Sequence, residues 1–430
     1  MAQIQELLTL LNASTPPEGL VDLYGNKPDV LKAQKDRYCG LIQRFQAAYP
    51  GDRDAAFFSS PGRTEVGGNH TDHNAGRVLA AAVNLDILSL VEKTGDNSII
   101  IDSEGYRSIK VDINKLEVIE QEKYSPAALV RGVCARLKDL GYTIGGFQGC
   151  MTSSVPNGSG LSSSAAFELM VVSILNDLYN QGKIQPVLAA QIGQFAENEY
   201  FGKPCGLMDQ TTCAVGGFVT IDFKDFANPV VHKVDYQFAE SEFSLAIIGS
   251  GGSHADLNED YAAIENEMKS VARALGGKVL REFSAEKVLE NAASLRGKVN
   301  DRAILRALHF YADDDRVVEQ VAALESSAFD RFLALVIESG YSSWMLCQNV
   351  FSPKNPGEQG IAVALAVSDA MLKGRGAWRV HGGGFAGTIQ AFVPAELVPQ
   401  YMEKMSSIFG KENCHLVSIR SKGATRVALG

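Results

Sequence analysis

The spacing of apolar positions changes several times along the chain, and each change marks a different element. Leu7, Leu8, Leu10 and Leu11, and later Leu41, Ile42 and Phe45, have helical spacing, so residues 1–50 read as helices punctuated at Pro16 and Pro17. Residues 55–60 are a short apolar run of strand type that stops at Pro61 and Gly62. Residues 97–113 read as a hairpin turning at 103–105. Residues 125–140 have helical spacing and close at Gly141; residues 146–155 are strand-like and run into a Gly/Ser loop. An apolar helix over 162–179 follows, stopped near Gly182. After a short strand at 243–248, helical patterns dominate from 258 to 350, for example over 317–338. A strand–loop–strand over 377–393, a helix over 396–409 and strands at 415–419 and 424–429 complete the chain.

This order is mixed α/β (α+β). The composition shifts around residues 228–243, which divides the chain into two domains, 1–235 and 236–430. The longest apolar run, 78–91, is interrupted by Asn84 and Asp86 and falls short of the roughly 18 residues a spanning helix needs. Lys plus Arg total 40 against 50 Asp plus Glu, a net charge of −10. That balance argues against nucleic acid and against an anionic membrane surface, both of which call for a basic footprint. It leaves room for a local basic pocket that holds phosphate. The seven cysteines are odd in number and include no C-x-x-C pair, which reads as reduced thiols. Glu6 interrupts the first apolar residues and no basic n-region precedes them, so a secretory signal is not expected and the chain reads as cytoplasmic. No obligate protein partner is evident.

Four segments could carry chemistry. The first, residues 60–76, crowds Arg63, Asn69, His70, Asp72 and Asn74 between glycines, a density of hydrogen-bonding groups that suits a polyhydroxylated ligand; a solvated turn is the bland alternative. His70 and His73 are three apart, but no acidic or cysteine cluster with zinc spacing accompanies them. The second, residues 156–166, sits between a strand and a helix. Gly158 and Gly160 allow close backbone approach, and Ser162, Ser163 and Ser164 bring hydroxyls and free amides to a helix N-terminus, which is an anion site unless it is simply a capped turn. It is neither a Walker loop nor a Rossmann fingerprint. The third, residues 197–210, carries Glu197 and Asp209 on either side of a Gly-Pro-Cys-Gly turn, a spacing that can bring a metal ligand and a general base together. The fourth is His381 followed by three glycines, Phe385, Ala386 and Gly387.

In this order the four motifs resemble those of the GHMP sugar-kinase superfamily, most closely its galactokinases. The first is similar to P-G-R-V-N-L-I-G-E-H-T-D-Y-N, the second to G-x-G-L-S-S-S-A, the third to A-E-x-x-x-x-G-x-P-C-G-x-M-D-Q and the fourth to G-G-G-F-G-G. The resemblance implies a two-domain kinase with an N-terminal ribosomal-protein-S5-like domain and a C-terminal, helix-rich, ferredoxin-like domain. Its substrates would be ATP and a small-molecule sugar, with Mg²⁺ as cofactor. It further implies that Asp209 is the catalytic aspartate and Arg63 the arginine beside it. Asn69, His70, Asp72, Gly206 and Tyr261 then fall on sugar-contacting positions. Gly158, Ser159, Gly160, Leu161, Ser162 and Ser163 fall on the ATP-phosphate loop, Ser164 and Glu197 on the magnesium ligands, and residues 382–384 on the turn that supports both substrates. Asn69 stands where the family has a glutamate directed at the sugar 6-hydroxyl, which implies looser reading of that hydroxyl, and His73 replaces a tyrosine. The lead before Pro61 is longer than the family's.

Overall fold

A computed structural model describes residues 1–156, 160–238, 241–252 and 257–430. Two sheets carry the fold. The larger has nine strands, in the order Ala2–Gln3, Asp54–Gly67, Arg77–Lys93, Phe147–Ser153, Ser98–Ser103 and Ile109–Asp112. Phe218–Asp222 joins Arg77–Lys93 and is itself paired to Val230–Val234, while Thr425–Arg426 joins Asp54–Gly67. Its pairs are antiparallel except Ser98–Ser103 against Phe147–Ser153. The smaller sheet is antiparallel and four-stranded: Ala377–His381, Thr388–Pro394, Phe243–Gly249 and Cys414–Val417. The last strand, Thr425–Arg426, thus returns the chain's end to the first sheet.

The apolar run 78–91 is the centre of that first sheet, as strand Arg77–Lys93. Both faces of this strand are covered, so the usual alternation of apolar and polar residues disappears and the run reads as continuous. Period-2 geometry still sorts the side chains. Leu88 and Leu90 join Phe57 on the face covered by the N-terminal helices Ile4–Leu11, Glu18–Tyr24 and Pro28–Ala48. Ile87 and Val91 join Phe58 on the opposite face, beneath helices Pro126–Asp139, Ser163–Asn180 and Pro186–Phe195. The two polar residues that interrupt the run are paired. Asn84 exchanges hydrogen bonds with the Ser418 backbone, donating its N–H at 3.0 Å and accepting at Oδ1 at 2.9 Å. Asp86 is clamped by Arg37 and Tyr24.

Several element boundaries differ from the sequence expectation. The strand expected to stop at Pro61 continues to Gly67, with register shifts between Pro61 and Arg63 and between Glu65 and Gly67. Proline is tolerated there because the ladder is already interrupted. The helical span 317–338 is two helices, Asp301–Glu325 and Phe329–Ser342, parted where Ser327 takes a positive φ of 56°. The final strand expected over 424–429 narrows to Thr425–Arg426. Among the described residues no helix is long and apolar enough to cross a membrane. All seven cysteines are free.

Candidate active site

The bulged end of strand Asp54–Gly67 aims Arg63 across to helix Met208–Val215. Its Nε and Nη2 donate to Asp209 Oδ1 and Oδ2, both at 2.7 Å, a two-pronged fork on one carboxylate. Its Nη1 donates to the Gly160 carbonyl, and its backbone N–H to the Leu161 carbonyl at 3.0 Å. Burial works against the guanidinium charge, but the Asp209 carboxylate more than offsets this and raises the Arg63 pKa. Asp209, in the first turn of its helix, also accepts a hydrogen bond from Ser162 Oγ. Ser162 holds a left-handed backbone (φ 57°) immediately before helix Ser163–Asn180. A non-glycine residue in that region is strained by about 1–3 kcal/mol, and such strain gathers at functional sites. Gly62 makes the close approach possible, since a Cβ there would lie 2.7 Å from the Leu161 carbonyl oxygen. The first three motifs therefore converge on one carboxylate.

The fourth motif packs against the first. His70, itself at φ 60°, points Nε2 at the Gly383 carbonyl, 3.0 Å away. A carbonyl only accepts, so Nε2 carries the proton. Burial pushes the His70 pKa down to about 3, which keeps the ring neutral. The Tyr261 hydroxyl reaches the Gly384 carbonyl at 3.3 Å, and its ring stands edge-on to Phe385 with centroids 5.3 Å apart. Gly383 has room only for hydrogen, because a Cβ would lie 2.4 Å from the Tyr261 ring. Asp72, in the turn Asp72–Asn74, comes within 3.1 Å of where a Gly206 Cβ would be.

Asn69 departs from expectation. It is fully buried, and its amide is spent on the protein. Nδ2 donates to Glu65 Oε1 at 2.9 Å and to the Gly382 carbonyl at 2.8 Å; Oδ1 accepts from Asn349 Nδ2 at 2.9 Å and from Ser343 Oγ at 3.2 Å. Two donors and two lone pairs are an amide's whole capacity. Asn69 therefore has nothing left for a sugar hydroxyl and instead ties the glycine turn to the first sheet. Gly158 and Ser159 lie outside the described residues.

Of the polar layer next to Asn69 and Glu65, the sequence reading named His381 but not Arg379, His309 or Asp313. Arg379 is fully buried, donating to Glu65 Oε1 at 2.8 Å and to the Val66 carbonyl at 2.6 Å. His381 accepts the Glu65 N–H at Nε2 (3.2 Å) and so donates from Nδ1 to Thr388 Oγ1 (2.8 Å). Burial, with Arg63 and Arg379 nearby, drives its pKa well below the ordinary value. His309 donates from Nε2 to the Asn69 carbonyl at 2.9 Å, and Asp313 Oδ2 accepts the Asn69 N–H at 2.7 Å. The available signal was polar residues at alternating positions inside an otherwise apolar strand, Arg379 and His381.

Helix Pro186–Phe195 runs into a π-helical turn, Ala196–Phe201, that carries Glu197. Glu197 is only 3% exposed; Gln210 Nε2 donates to its Oε2 at 2.9 Å, and Lys203 Nζ lies 3.8 Å from its Oε1. Ser164 is half-buried in the first turn of helix Ser163–Asn180.

Residues 43–93 match the galactokinase galactose-binding signature and residues 128–217 the GHMP kinases N-terminal domain. A galactokinase of Actinobacillus pleuropneumoniae is 30% identical over 420 residues, covering 91% of this chain and 97% of its own. One from Clostridium tetani is 28% identical over 84% of this chain and 90% of its own. The crystal structure of Lactococcus lactis galactokinase complexed with galactose superposes with a TM-score of 0.76 at 24% identity, covering 91% of this chain and all of that one. A mevalonate kinase structure gives 0.59 at 16% identity over 85% of this chain and 99% of its own. The signature covers the segment that carries Arg63 and Asp72, and the relatives match almost from end to end, so the chain belongs to the galactokinase family of the GHMP kinases.

Proposed function

We propose that this chain transfers the γ-phosphoryl group of ATP to the anomeric hydroxyl of galactose, giving galactose 1-phosphate and ADP. The observation that carries the reading is the Arg63 fork on Asp209, set against the N-terminus of helix Ser163–Asn180. Asp209 accepts the hydroxyl proton as the sugar oxygen bonds to the γ-phosphorus and the bond to ADP breaks. Arg63 orients that carboxylate and offsets charge on the transferring group. His70, Asp72, Gly206 and Tyr261 hold the sugar. Gly160, Leu161, Ser162 and Ser163, at the N-terminus of helix Ser163–Asn180, face the phosphates.

Ser164 and Glu197 would hold Mg²⁺. The donor set fits, because both offer hard oxygens and Glu197 brings a buried charge. Bound there, Mg²⁺ neutralises charge on the β- and γ-phosphates. Because Asn69 is spent on the protein, nothing at position 69 reads the 6-hydroxyl. This favours a site that also accepts sugars lacking that group, such as L-arabinose. The division into domains 1–235 and 236–430 remains part of the proposal, supported by sheets that change over between Val230–Val234 and Phe243–Gly249, although Thr425–Arg426 returns to the first sheet. So does a cytoplasmic setting, supported by the free thiols.

An ADP-release assay with galactose, glucose, galactosamine and L-arabinose tests the reaction. Galactose is expected to be turned over, and Asp209→Asn to cut turnover by about 10²–10⁴-fold while galactose still binds. A variant within a few-fold of wild type removes Asp209 from the role of base.

A further inference from the structure

A second carboxylate stands beside Glu197 and has no part in the mechanism above. Glu168 lies on helix Ser163–Asn180, four residues beyond Ser164 and so on the same face. It is fully buried. Gln210 Nε2 donates to Glu168 Oε2 at 3.0 Å and to Glu197 Oε2 at 2.9 Å. One amide group therefore serves two carboxylates. Oε1 of Glu168 and Oε1 of Gln210 are both buried and have no hydrogen-bond partner among the described residues. Orphaned oxygens of this kind are rare in a folded interior and call for an occupant. Lys203, on a largely exposed side chain, lies 3.8 Å from Glu197. Two carboxylates sharing a buried pocket repel unless positive charge lies between or beside them. Magnesium sites in phosphoryl-transfer enzymes use one or two carboxylates, with substrate phosphates and waters completing the shell.

We propose that Glu168 is the second carboxylate of the magnesium site, supplying negative charge alongside Glu197, and that Gln210 fixes the spacing of the two by donating to both. The proposal rests on the reading of Glu197 as a magnesium ligand. It gives Gln210 a definite task, since the residue directly after the proposed base is the one that orders the metal side. The competing occupant is a proton held on Glu168, which would make it a neutral interior acid.

Mn²⁺ is the probe, its free concentration followed by electron paramagnetic resonance in the presence of ADP. Glu168→Gln keeps the shape and removes the charge. It is expected to weaken Mn²⁺ binding about tenfold or more, as is Glu197→Gln. ADP affinity measured in EDTA should not change. The metal-free melting temperature of Glu168→Gln should equal or exceed wild type, because a buried acid has gone. Glu168→Met, which suits an apolar interior, is measured alongside and is expected to lose Mn²⁺ to the same degree. Wild-type Mn²⁺ affinity in the folded Glu168 variants, with Glu197→Gln weakened, overturns the proposal and leaves the ligand reading of Glu197 standing. Wild-type affinity in all the variants removes both.

Discussion

Asn69 and Glu65 hydrogen-bond each other at 2.9 Å, and each is buried. The galactokinase motif that the first segment resembles, P-G-R-V-N-L-I-G-E-H, carries asparagine and glutamate at these two places in the opposite order. Relative to that motif the carboxylate and the amide stand at exchanged positions here, and Arg379 pairs with Glu65. Asn69→Glu should therefore destabilise the protein rather than sharpen sugar choice. It sets a second carboxylate against Glu65 and removes the donors to Glu65 and Gly382. A buried charge without compensation costs about 3–5 kcal/mol. Glu65→Asn combined with Asn69→Glu should recover part of that loss, with a coupling of about 0.5–3 kcal/mol in a urea-denaturation double-mutant cycle. Strict additivity would mean that the two side chains do not act as a pair.

At the scale of elements, the long N-terminal lead is a helical cover for one face of the first sheet. Its apolar contact comes from Leu20, Leu23, Leu41, Ile42 and Phe45, packed with Phe57, Leu88 and Leu90. Its polar anchor is Asp86, fully buried in the middle of Arg77–Lys93. Asp86 accepts hydrogen bonds from Arg37 Nη1 at 2.6 Å, Tyr24 Oη at 2.6 Å, Ser59 Oγ, and Arg420 Nη1 at 3.4 Å. Burial pushes this carboxyl up, but Arg37 and Arg420, with the Ser59 and Tyr24 hydroxyls, outweigh it and hold the pKa below the ordinary value. A carboxyl whose folded pKa is depressed stabilises the fold above its unfolded value, about 3.9, and loses that contribution as pH falls through the lower folded value. Asp86→Asn should cost about 3–5 kcal/mol at neutral pH, since two arginines lose their buried partner. The gap to wild type should stay constant from pH 8 to about 5 and shrink below about 4. Melting temperatures of both proteins across pH 3–8 give the measurement. A gap that does not narrow in acid would show that Asp86 is not ionised in the fold.

At the scale of the whole molecule, the site draws on both sheets. Arg63 and Asp72 come from or follow the strand Asp54–Gly67, whereas residues 382–384 follow the strand Ala377–His381 and Tyr261 lies on helix Asn258–Ala274. The buried Arg379–Glu65 ion pair crosses from one sheet to the other at 2.8 Å. A ligand bound between the sheets should stabilise the two together. At a concentration of 100 times its Kd it contributes about 2.7 kcal/mol. Scanning calorimetry with saturating galactose and Mg–ADP should therefore move the whole unfolding endotherm upward as one transition. An endotherm that splits, with only one part shifting, would place the ligands on one half alone.

What the sequence determined by itself was whatever depends on local order. Glycines and serines before an apolar helix mark a candidate anion site wherever that helix lies. Four motifs in a fixed order carry the family resemblance without any knowledge of their contacts. The helix-rich span after residue 258 was likewise legible from its periodicity. Tertiary structure decided the rest, because burial and partnership are not properties of spacing. The apolar run around Asn84 and Asp86 reads as interrupted until Ser418 and Arg37, both remote in sequence, arrive to pair with those residues. Asn69 lies among sugar-contacting positions in sequence, yet Asn349 and Ser343, 280 and 274 residues away, saturate it. Glu168 looks like one more residue of an apolar helix until Gln210 brings it beside Glu197. A hydrogen bond needs its partner within about 3 Å, and only the folded chain brings residues so far apart in sequence to that distance.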